Sequence, residues 1–423
     1  MNTFRYENTE IKIYGGYNNI GGNCIVIKSP SRTIMLDQGV NFSQLRKFYG
    51  FYILPDSVEE LREMSVLPRR EAYKDVEEIY VSHFHLDHLG SLNTPIDVPI
   101  YLPSREIIEI LPRSWFFGWK QQLLPETLSL YDFRNIEEGR IRYARVSHSA
   151  FPSYAFRIDT DDVSILYTGD FRISSPIKLF NDPLEEFENL SEDGVDVLII
   201  EGTNFGRRMS YMTSEGFNHL LNDLLIHYDR KIFFISTHPL DLESLLATFE
   251  IIQRNNFNIV FTSNYYAQLV DKMMNYIKFV SEKRIILCTA TTTKFRHLDD
   301  FEIEFSLTSL KDRKLAIFVP ATDIKEIAKI SKLMNEDSRG LIHIAIIGEL
   351  VNEEWIIERR KIENWLNLLG ITNYKIHLSG HYHPFEFKKI LAVIRPKNII
   401  PIHTVASRTM KELFEKYKFW LDN

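Results

Sequence analysis

Three histidines and one aspartate crowd into the stretch YVSHFHLDHLG, residues 80–90. They are His83, His85, Asp87 and His88. In an extended chain, His83 and His85 point to the same side because they are two positions apart. A solvated loop needs none of these imidazoles, and a buried loop would leave their nitrogens without partners. We therefore predict that the loop binds a metal ion, for which imidazole and carboxylate groups are common ligands.

Three further candidate ligands follow apolar strand patterns elsewhere in the chain. His148 stands in RVSHSAF, Asp170 in ILYTGDF and His403 in NIIPIHT. Taken singly, His148 fits the role of a structural histidine better than that of a metal ligand. Asp170 fits a turn or helix-cap position as well as it fits a ligand position. Ligand sites of open α/β architectures gather at the carboxyl ends of strands, where all three residues fall. We therefore predict that they join the histidine loop.

Short strands occupy the chain up to about residue 204 and must hold these residues in place. The early runs IKIYGG, NCIVIKS and RTIMLDQG, separated by glycines and by SPSR, are typical of antiparallel hairpins. Later patterns, such as EEIYVS, VSILYTGD and VDVLIIEGT, each lead into a loop that carries an acid or a histidine. The glycine-rich GGYNNIGG lacks the Gly-Lys-Ser/Thr ending of a phosphate loop, so turns are the better interpretation.

Beyond residue 204 the pattern changes to alternating strands and helices. The strands KIFFIST, NIVFTS, RIILCT, LAIFVP and LIHIAII alternate with helical stretches such as DLESLLATFEIIQ and DIKEIAKISKLM. This alternation predicts a parallel α/β sheet. We predict a first domain that comprises residues 1–204 and resumes at 350–423, with a second domain, 205–349, inserted between the two parts.

Composition sets outer limits on the function. The 423 residues are 44% hydrophobic and 25% charged, as in ordinary globular proteins. The chain contains two cysteines, no apolar run long enough for a membrane span, and no signal-peptide pattern at its start. We therefore expect a cytoplasmic location and no membrane partner. The net charge of -7 argues against a generally basic nucleic-acid surface, but not against a nuclease, because bound metal adds positive charge.

The order of these motifs resembles that of the metallo-β-lactamase superfamily. The resemblance rests on Asp37 in IMLDQG, the quartet HFHLDH, His148 and Asp170. Glu201 in LIIEGTN, His381 in LSGHYHP and the PIHT motif resemble the three added motifs of its β-CASP nuclease branch. Within that branch, GGYNNIGGNCIVI and SGHYHPFEFKKILAVIRPKNIIPIH resemble ribonuclease J, especially its archaeal forms. The resemblance implies an αββα sandwich with an inserted α/β β-CASP domain.

The resemblance also implies two metal ions and a role for each motif residue. It assigns His83, His85 and His148 to one ion, Asp87, His88 and His403 to the other, and Asp170 to both. Asp37 would orient the ligands from outside, and Glu201 would support the site where the inserted domain departs. Five imidazoles and two carboxylates suit zinc best, and manganese is the alternative. The predicted catalytic residues are Asp87, Glu201 and His381.

The activity implied by the resemblance is a metal-dependent ribonuclease that digests RNA from the 5′ end as an exonuclease. A hydroxide activated by two metal ions would attack phosphorus. His381 would contact a phosphate oxygen or protonate the leaving oxygen, and Ser379 would help to bind the substrate, a single-stranded RNA with a 5′-monophosphate. Tyr382 and His383 stand where this family has small residues, so dependence on the 5′-phosphate stays open.

Several alternatives remain at this level. An endoribonuclease of the type that cleaves messenger 3′ ends, a DNA nuclease and a small-molecule hydrolase share the same metal motifs, although a small substrate needs no inserted domain. A homodimer is one alternative for the oligomeric state. Six further side chains could contact nucleic acid: Arg172, Arg207, Arg208, His238, Tyr265 and Tyr266. Solvated or core positions explain most of them more simply.

Overall fold

The chain forms two compact units. The computed structural model describes residues 1–50, 52–90, 92, 97–108, 130–136, 139, 141–177, 182–206, 212–228, 231–237, 240–262, 264–273, 285–288, 302–304, 306–319, 324–333, 341–347 and 353–421. Unit 1 comprises Met1–Ser174, Asn181–Ser210 and Gly380–Asn423. Unit 2 comprises Ser175–Phe180 and Tyr211–Ser379.

The described strands and helices are numbered here in chain order. The strands are β1 Asn2–Tyr6, β2 Thr9–Gly15, β3 Cys24–Lys28, β4 Thr33–Leu36, β5 Glu78–Tyr80, β6 Ile100–Leu102, β7 Leu130–Asp132, β8 Arg142–Val146, β9 Ser153–Asp159, β10 Ser164–Tyr167, β11 Val197–Glu201, β12 Ile232–Thr237, β13 Asn258–Phe261, β14 Ile285–Cys288, β15 Glu302–Glu304, β16 Leu315–Phe318, β17 Ile342–Ile347, β18 Thr372–His377 and β19 Asn398–Ile402. The helices are α1 Phe42–Phe48, α2 Val58–Glu63, α3 Leu86–Leu89, α4 Arg105–Ile108, α5 Pro183–Ser191, α6 Ser214–His227, α7 Leu242–Arg254, α8 Asn264–Met273, α9 Ile324–Leu333, α10 Glu353–Leu368, α11 Phe387–Ile394 and α12 Ser407–Leu421.

Unit 1 contains two sheets. Within the described residues, one has seven strands in the order β1-β2-β3-β4-β5-β6-β7, and the other has five in the order β19-β11-β10-β9-β8. The pairs from β1 to β4 are antiparallel, as the predicted hairpins require, and β4, β5, β6 and β7 run parallel. Pro401 lies in β19, which can accommodate it because β19 is an edge strand.

The two sheets pack face to face around an apolar core. Strand β11 reads VLIIE and is buried throughout, so both of its faces must be covered. Its alternate residues point in opposite directions, as they do in any strand. Val197 and Ile199 join the core between the sheets, whereas Leu198 and Ile200 join a second core with helices α5, α11 and α12. Unit 1 is thus a layered α/β sandwich.

Unit 2 is built on a sheet whose described pairs are all parallel. The strand order is β15-β14-β13-β16-β12-β17-β18, and the apolar runs of its central strands are fully buried. Helices accompany these strands in the alternation that the sequence predicts. The mixed α/β class, with sandwiched sheets and a separate parallel sheet, is therefore confirmed. Among the described helices, none combines the length and apolarity needed to cross a bilayer.

The return of the chain to unit 1 differs from the prediction. Residue 350 is the predicted point, but β18 pairs with β17 from Ile342↔Thr372 to Ile347↔His377. This pairing makes α10 and β18 part of unit 2, which ends at Ser379. Strand β18 carries few apolar residues and lies at a sheet edge, so its sequence alone does not reveal which sheet it joins.

Candidate metal centre

Backbone contacts hold the histidine loop beside the end of strand β4. After β5, the loop runs into the short helix α3, and its carbonyl groups accept hydrogen bonds from the segment that follows β4. The Gln38 N–H donates to the carbonyl of His88 at 2.8 Å, and the Val40 N–H donates to that of Leu86 at 2.9 Å. A side chain at Gly39 would place its Cβ 1.6 Å from the Asp87 carbonyl oxygen. Only glycine allows this close approach.

The first group of candidate ligands consists of His83, His85 and His148. The His85 Nδ1 atom lies 3.2 Å from His83 Nε2 and 3.1 Å from His148 Nε2. Nitrogens bound at about 2.0–2.1 Å to a tetrahedral ion lie about 3.3–3.4 Å from one another, which is close to this spacing. Burial, together with the neighbouring imidazoles, holds the pKa values of His83 and His148 well below the ordinary range. The rings are therefore neutral, as metal ligands must be.

The second group consists of Asp87, His88 and His403, and it meets the first at Asp170. His403 Nε2 lies 3.0 Å from Asp87 Oδ2, and His88 Nε2 lies 3.1 Å from Asp170 Oδ2. The same Asp170 oxygen is 3.9 Å from His83 Nε2 and 3.8 Å from His403 Nε2. All of these side chains are buried. Asp170 therefore lies between the two groups, where a bridging ligand would be.

Asp170 has unsatisfied bonding capacity. Among the described residues, its Oδ1 atom is buried and has no hydrogen-bond partner. Burial alone would raise the pKa of Asp170, yet the imidazoles of His403 and His88 hold that pKa well below its usual range. A buried, ionised oxygen without a partner is costly unless a cation or donor reaches it. The residues therefore fit divalent ions of the kind that imidazole and carboxylate ligands bind.

Each of four candidate ligands is held by a hydrogen bond from the ring nitrogen opposite its ligand atom. His88 Nδ1 lies 2.7 Å from Asp37 Oδ2, and His148 Nδ1 lies 2.7 Å from the carbonyl of Gly380. His83 Nδ1 lies 3.1 Å from Ser82 Oγ. Outer partners of this kind fix the tautomer and ring orientation of metal-binding histidines. Asp37 also accepts from the Ser82 N–H at 2.7 Å and from the Tyr167 hydroxyl.

The fourth held ligand, His403, depends on Thr203, a residue that sequence reasoning missed. His403 Nδ1 lies 2.7 Å from Thr203 Oγ1, which in turn donates to Glu201 Oε2 at 2.8 Å. With this direction of donation, Nδ1 carries the proton and Nε2 is free to bind metal. The only sequence signal for Thr203 is its place two residues after Glu201 in LIIEGTN. The strand register explains why Thr203 lies next to His403, because Glu201 of β11 pairs with Ile402 of β19.

Glu201 also contacts His381, which brings two of the three predicted catalytic residues together. His381 Nδ1 lies 3.0 Å from Glu201 Oε1 and 3.9 Å from Asp170 Oδ2. Both Glu201 and His381 are buried. One oxygen of the Glu201 carboxylate thus supports His403 through Thr203, and the other contacts His381 directly.

Tyr382 points away from this centre and into the core of unit 1. Its ring stacks on Phe171 with centroids 4.9 Å apart, and its hydroxyl donates to the Glu201 carbonyl at 2.7 Å. The Asn204 amide donates to the carbonyls of His381 and Tyr382, at 3.3 Å and 3.0 Å. The large side chain therefore anchors His381 and does not occupy the space beside it.

Two site residues adopt the left-handed backbone conformation. Asp37 has φ +56° and His403 has φ +50°. Such values are uncommon outside glycine and concentrate at functional sites, where neighbouring structure imposes them. At His403, the backbone N–H donates to the Gly16 carbonyl at 2.6 Å, and at Asp37 it donates to that of Tyr80 at 2.9 Å.

The other predicted contact residues are placed as follows. Ser379 is buried and is the last residue of unit 2. Arg172 is buried, with its Nε donating to Ser147 Oγ at 2.8 Å, and Tyr266 is a core residue whose hydroxyl donates to the Thr237 carbonyl. The positions that lie outside the described residues, or whose side chains do, are Arg207, Arg208, His238 and Tyr265.

The chain matches no family model, but it is similar to curated proteins over nearly its whole length. It is 22% identical to ribonuclease J of Pyrococcus abyssi, with 93% of this chain and 89% of the relative covered. The corresponding values for ribonuclease J of Methanocaldococcus jannaschii are 23%, 93% and 91%. Against ribonuclease J of Helicobacter pylori, at 22% identity, the chain spans 57% of the relative's length.

A solved structure shares the fold. A protein of unknown function from Enterococcus faecalis V583 superimposes with a TM-score of 0.69, at 20% identity and with 95% of both chains covered. At that identity the likeness concerns the fold alone. The sequence relatives, in contrast, carry one name across archaea and bacteria. The predicted resemblance of this chain to ribonuclease J is therefore confirmed.

Proposed function

We propose that this chain is a metal-dependent ribonuclease that hydrolyses phosphodiester bonds of RNA. The observation that carries the proposal is the convergence of seven buried histidine and aspartate side chains, with Asp170 between two groups of three, beside the Glu201–His381 pair. The name of the relatives supplies the substrate class. A ribonuclease needs a site that stabilises charge on a phosphoryl group and donates a proton to the leaving oxygen, and these two clusters offer both.

The residues that would hold the metal ions are those of the two ligand groups. His83, His85 and His148 would hold one ion, and Asp87, His88 and His403 the other, with Asp170 shared. Zinc suits this ligand set best, and manganese is the alternative. When bound, two such ions would lower the pKa of a water molecule and neutralise charge on the phosphoryl oxygens.

His381 would handle the proton. Its Nδ1 faces the Glu201 carboxylate at 3.0 Å, which fixes the tautomer and stabilises the imidazolium form. The protonated ring would donate from Nε2 to the leaving oxygen or to a phosphoryl oxygen. Asn204 and Tyr382 hold the backbone of this segment, so the ring is positioned before substrate arrives. This division of work resembles other histidine–carboxylate pairs, in which the carboxylate orients and the imidazole transfers the proton.

The mode of cleavage we propose is 5′-to-3′ exonucleolytic, on single-stranded RNA. A digestion of internally labelled linear RNA, with either a 5′-monophosphate or a 5′-triphosphate, tests this mode. We expect mononucleotides, faster digestion of the monophosphate, and no cleavage after chelation of the metal. Fragments of intermediate length would instead indicate an endoribonuclease. Equal cleavage of single-stranded DNA would make the protein a general nuclease, and the absence of all cleavage by metal-loaded protein would refute the proposal.

A further inference from the structure

The rings of His383 and Phe385, which form a ladder, lie just after His381, and Phe385 is the exposed member of the pair. The imidazole of His383 and the ring of Phe385 stack with centroids 5.6 Å apart and planes only 9° from parallel. Phe385 is 65% exposed, while His383 is partly buried. A single exposed phenylalanine is ordinary on a protein surface. A phenylalanine aligned with a second flat ring presents a planar face, which is the surface that a nucleobase stacks on.

The ladder is fixed in position by its own short helical turn. The His383 N–H donates to Glu386 Oε2 at 2.7 Å, and the Glu386 N–H donates to the His383 carbonyl at 2.8 Å. Pro384 begins the turn and restricts its backbone. The next residue, Phe387, is buried in the core and attaches the turn to helix α11. The backbone of this turn therefore requires little ordering when a ligand binds, which favours affinity.

The ladder follows His381 closely along the chain. His381 points into the metal centre, and Tyr382 points into the core on the opposite side. Four residues of extended chain span at most about 14 Å, which limits the distance from His381 to Phe385. A nucleotide close to the cleaved bond is within this range.

Two lysines follow the two rings along the chain. Lys388 and Lys389 are exposed in the first turn of helix α11. Aromatic faces beside lysines are the combination with which proteins bind single-stranded nucleic acid, because the rings stack on bases and the cations attract phosphates.

We propose that His383 and Phe385 form a stacking platform for one nucleobase of single-stranded RNA, near the bond that is cleaved. The proposal rests on the proposed ribonuclease function and adds a contact that selects an unpaired base. A base in a duplex is stacked on its neighbours and cannot lie on this platform without being splayed out. The platform therefore favours single strands over duplexes and tolerates any base, because every base has a flat face.

Substitutions of Phe385 test the platform by its aromatic character. Phe385→Ala should lower kcat/KM on a single-stranded RNA oligonucleotide by roughly 5-fold to 100-fold, mainly through KM. Phe385→Leu keeps apolar bulk without a flat face and should show the same loss of kcat/KM. Phe385→Tyr keeps the flat ring and should retain the kcat/KM of wild type. Oligonucleotides that each carry one abasic site at a different position provide a second test. For one of these positions, wild type and Phe385→Ala should have equal kcat/KM, because the base that would stack is absent. Metal content and unfolding temperature should not change, since the ring is exposed.

The outcomes separate the platform from the proposed activity. If Phe385→Leu matches wild type, or if the loss persists wherever the abasic site is placed, stacking on a base is refuted while ribonuclease activity stands. Binding of a fluorescently labelled single-stranded RNA, measured by anisotropy, requires no cleavage. If metal-loaded protein binds this RNA in a Phe385-dependent manner but never cleaves it, the platform is supported and the proposed function fails.

Discussion

Glu201 connects two parts of the centre through hydrogen bonds. One of its oxygens accepts from Thr203, which orients His403, and the other contacts His381. The Thr203 N–H also donates to Oε2 at 2.8 Å, so the carboxylate is held at several points. Since Glu201 is buried, these partners must satisfy its charge. A substitution on either side of Glu201 should therefore have a distinct effect.

On the His381 side, we expect a loss of turnover without a loss of metal. His381→Ala removes the proposed proton donor but none of the seven candidate ligands, so turnover should fall by about 100-fold or more. Metal content, measured on purified protein by elemental analysis, should equal that of wild type. If metal is lost and activity falls only in proportion, His381 is a ligand and its proposed role is wrong.

On the His403 side, we expect a loss of metal affinity. Thr203→Val keeps the shape of the side chain but removes the hydroxyl that fixes the His403 tautomer, so affinity for one of the two proposed ions should fall by about 10- to 100-fold. Thr203→Ser keeps the hydroxyl and is the matched control. Competition with a chromophoric chelator measures both variants. If Thr203→Val binds both proposed ions with the same affinity as wild type, the orienting role of Thr203 is contradicted.

At the scale of elements, the centre exists because strand ends coincide. Strands β10, β11 and β19 are parallel, so Asp170, Glu201 and His403 emerge at one edge of their sheet. Strand β8 runs in the same direction, because both it and β10 are antiparallel to β9, and this brings His148 to that edge. Loops at strand ends carry function in many α/β proteins while the strands supply rigidity.

The sheet of unit 2 contains a buried polar chain that should make its stability depend on pH. His343 of β17 bonds through Nε2 to Ser236 of β12 at 3.0 Å and through Nδ1 to Asn373 of β18 at 2.8 Å. Burial lowers the pKa of His343 to about 4, from an ordinary value of 6.5. Between these values the unfolded chain binds a proton that the folded chain does not, so stability falls as pH falls from about 6.5 to about 4.

The expected size of this effect is about 3 kcal/mol, from 1.36 kcal/mol for each pH unit in the window. His343→Asn removes the titrating group and keeps polar atoms within reach of its neighbours. Urea unfolding at a series of pH values should show wild type losing stability faster than His343→Asn below pH 6.5. A difference between the two proteins that does not vary with pH would contradict the buried neutral state of His343.

At the scale of the whole molecule, the proposed metal ions should stabilise one unit selectively. All seven candidate ligands belong to unit 1, and unit 2 has its own core. A ligand that binds only the folded state stabilises it by about 2.7 kcal/mol at 100 times its Kd. We therefore expect calorimetry to show a transition of unit 1 that moves to lower temperature after chelation. Asp170→Asn, which lacks the shared carboxylate, should lose this metal dependence, and a wild-type scan insensitive to chelation would contradict the metal centre.

The sequence by itself determined which residues could form the centre and the class of the fold. The spacing in HFHLDH, the acids and histidines after apolar runs, and the alternation beyond residue 204 are local patterns, which a chain carries regardless of its partners. They suffice to predict the α/β class and to name the seven candidate ligands that unit 1 brings together.

Only the tertiary structure decided which strands pair and in what register. The pairing of Glu201 with Ile402 brings Thr203 to His403 across 200 residues of sequence, and the pairing of β17 with β18 moves the unit boundary from 350 to Ser379. The inward turn of Tyr382 depends on the core formed with Phe171. Periodicity states which face of a strand is buried, but not which distant segment covers it, because that choice is made by packing of the whole chain.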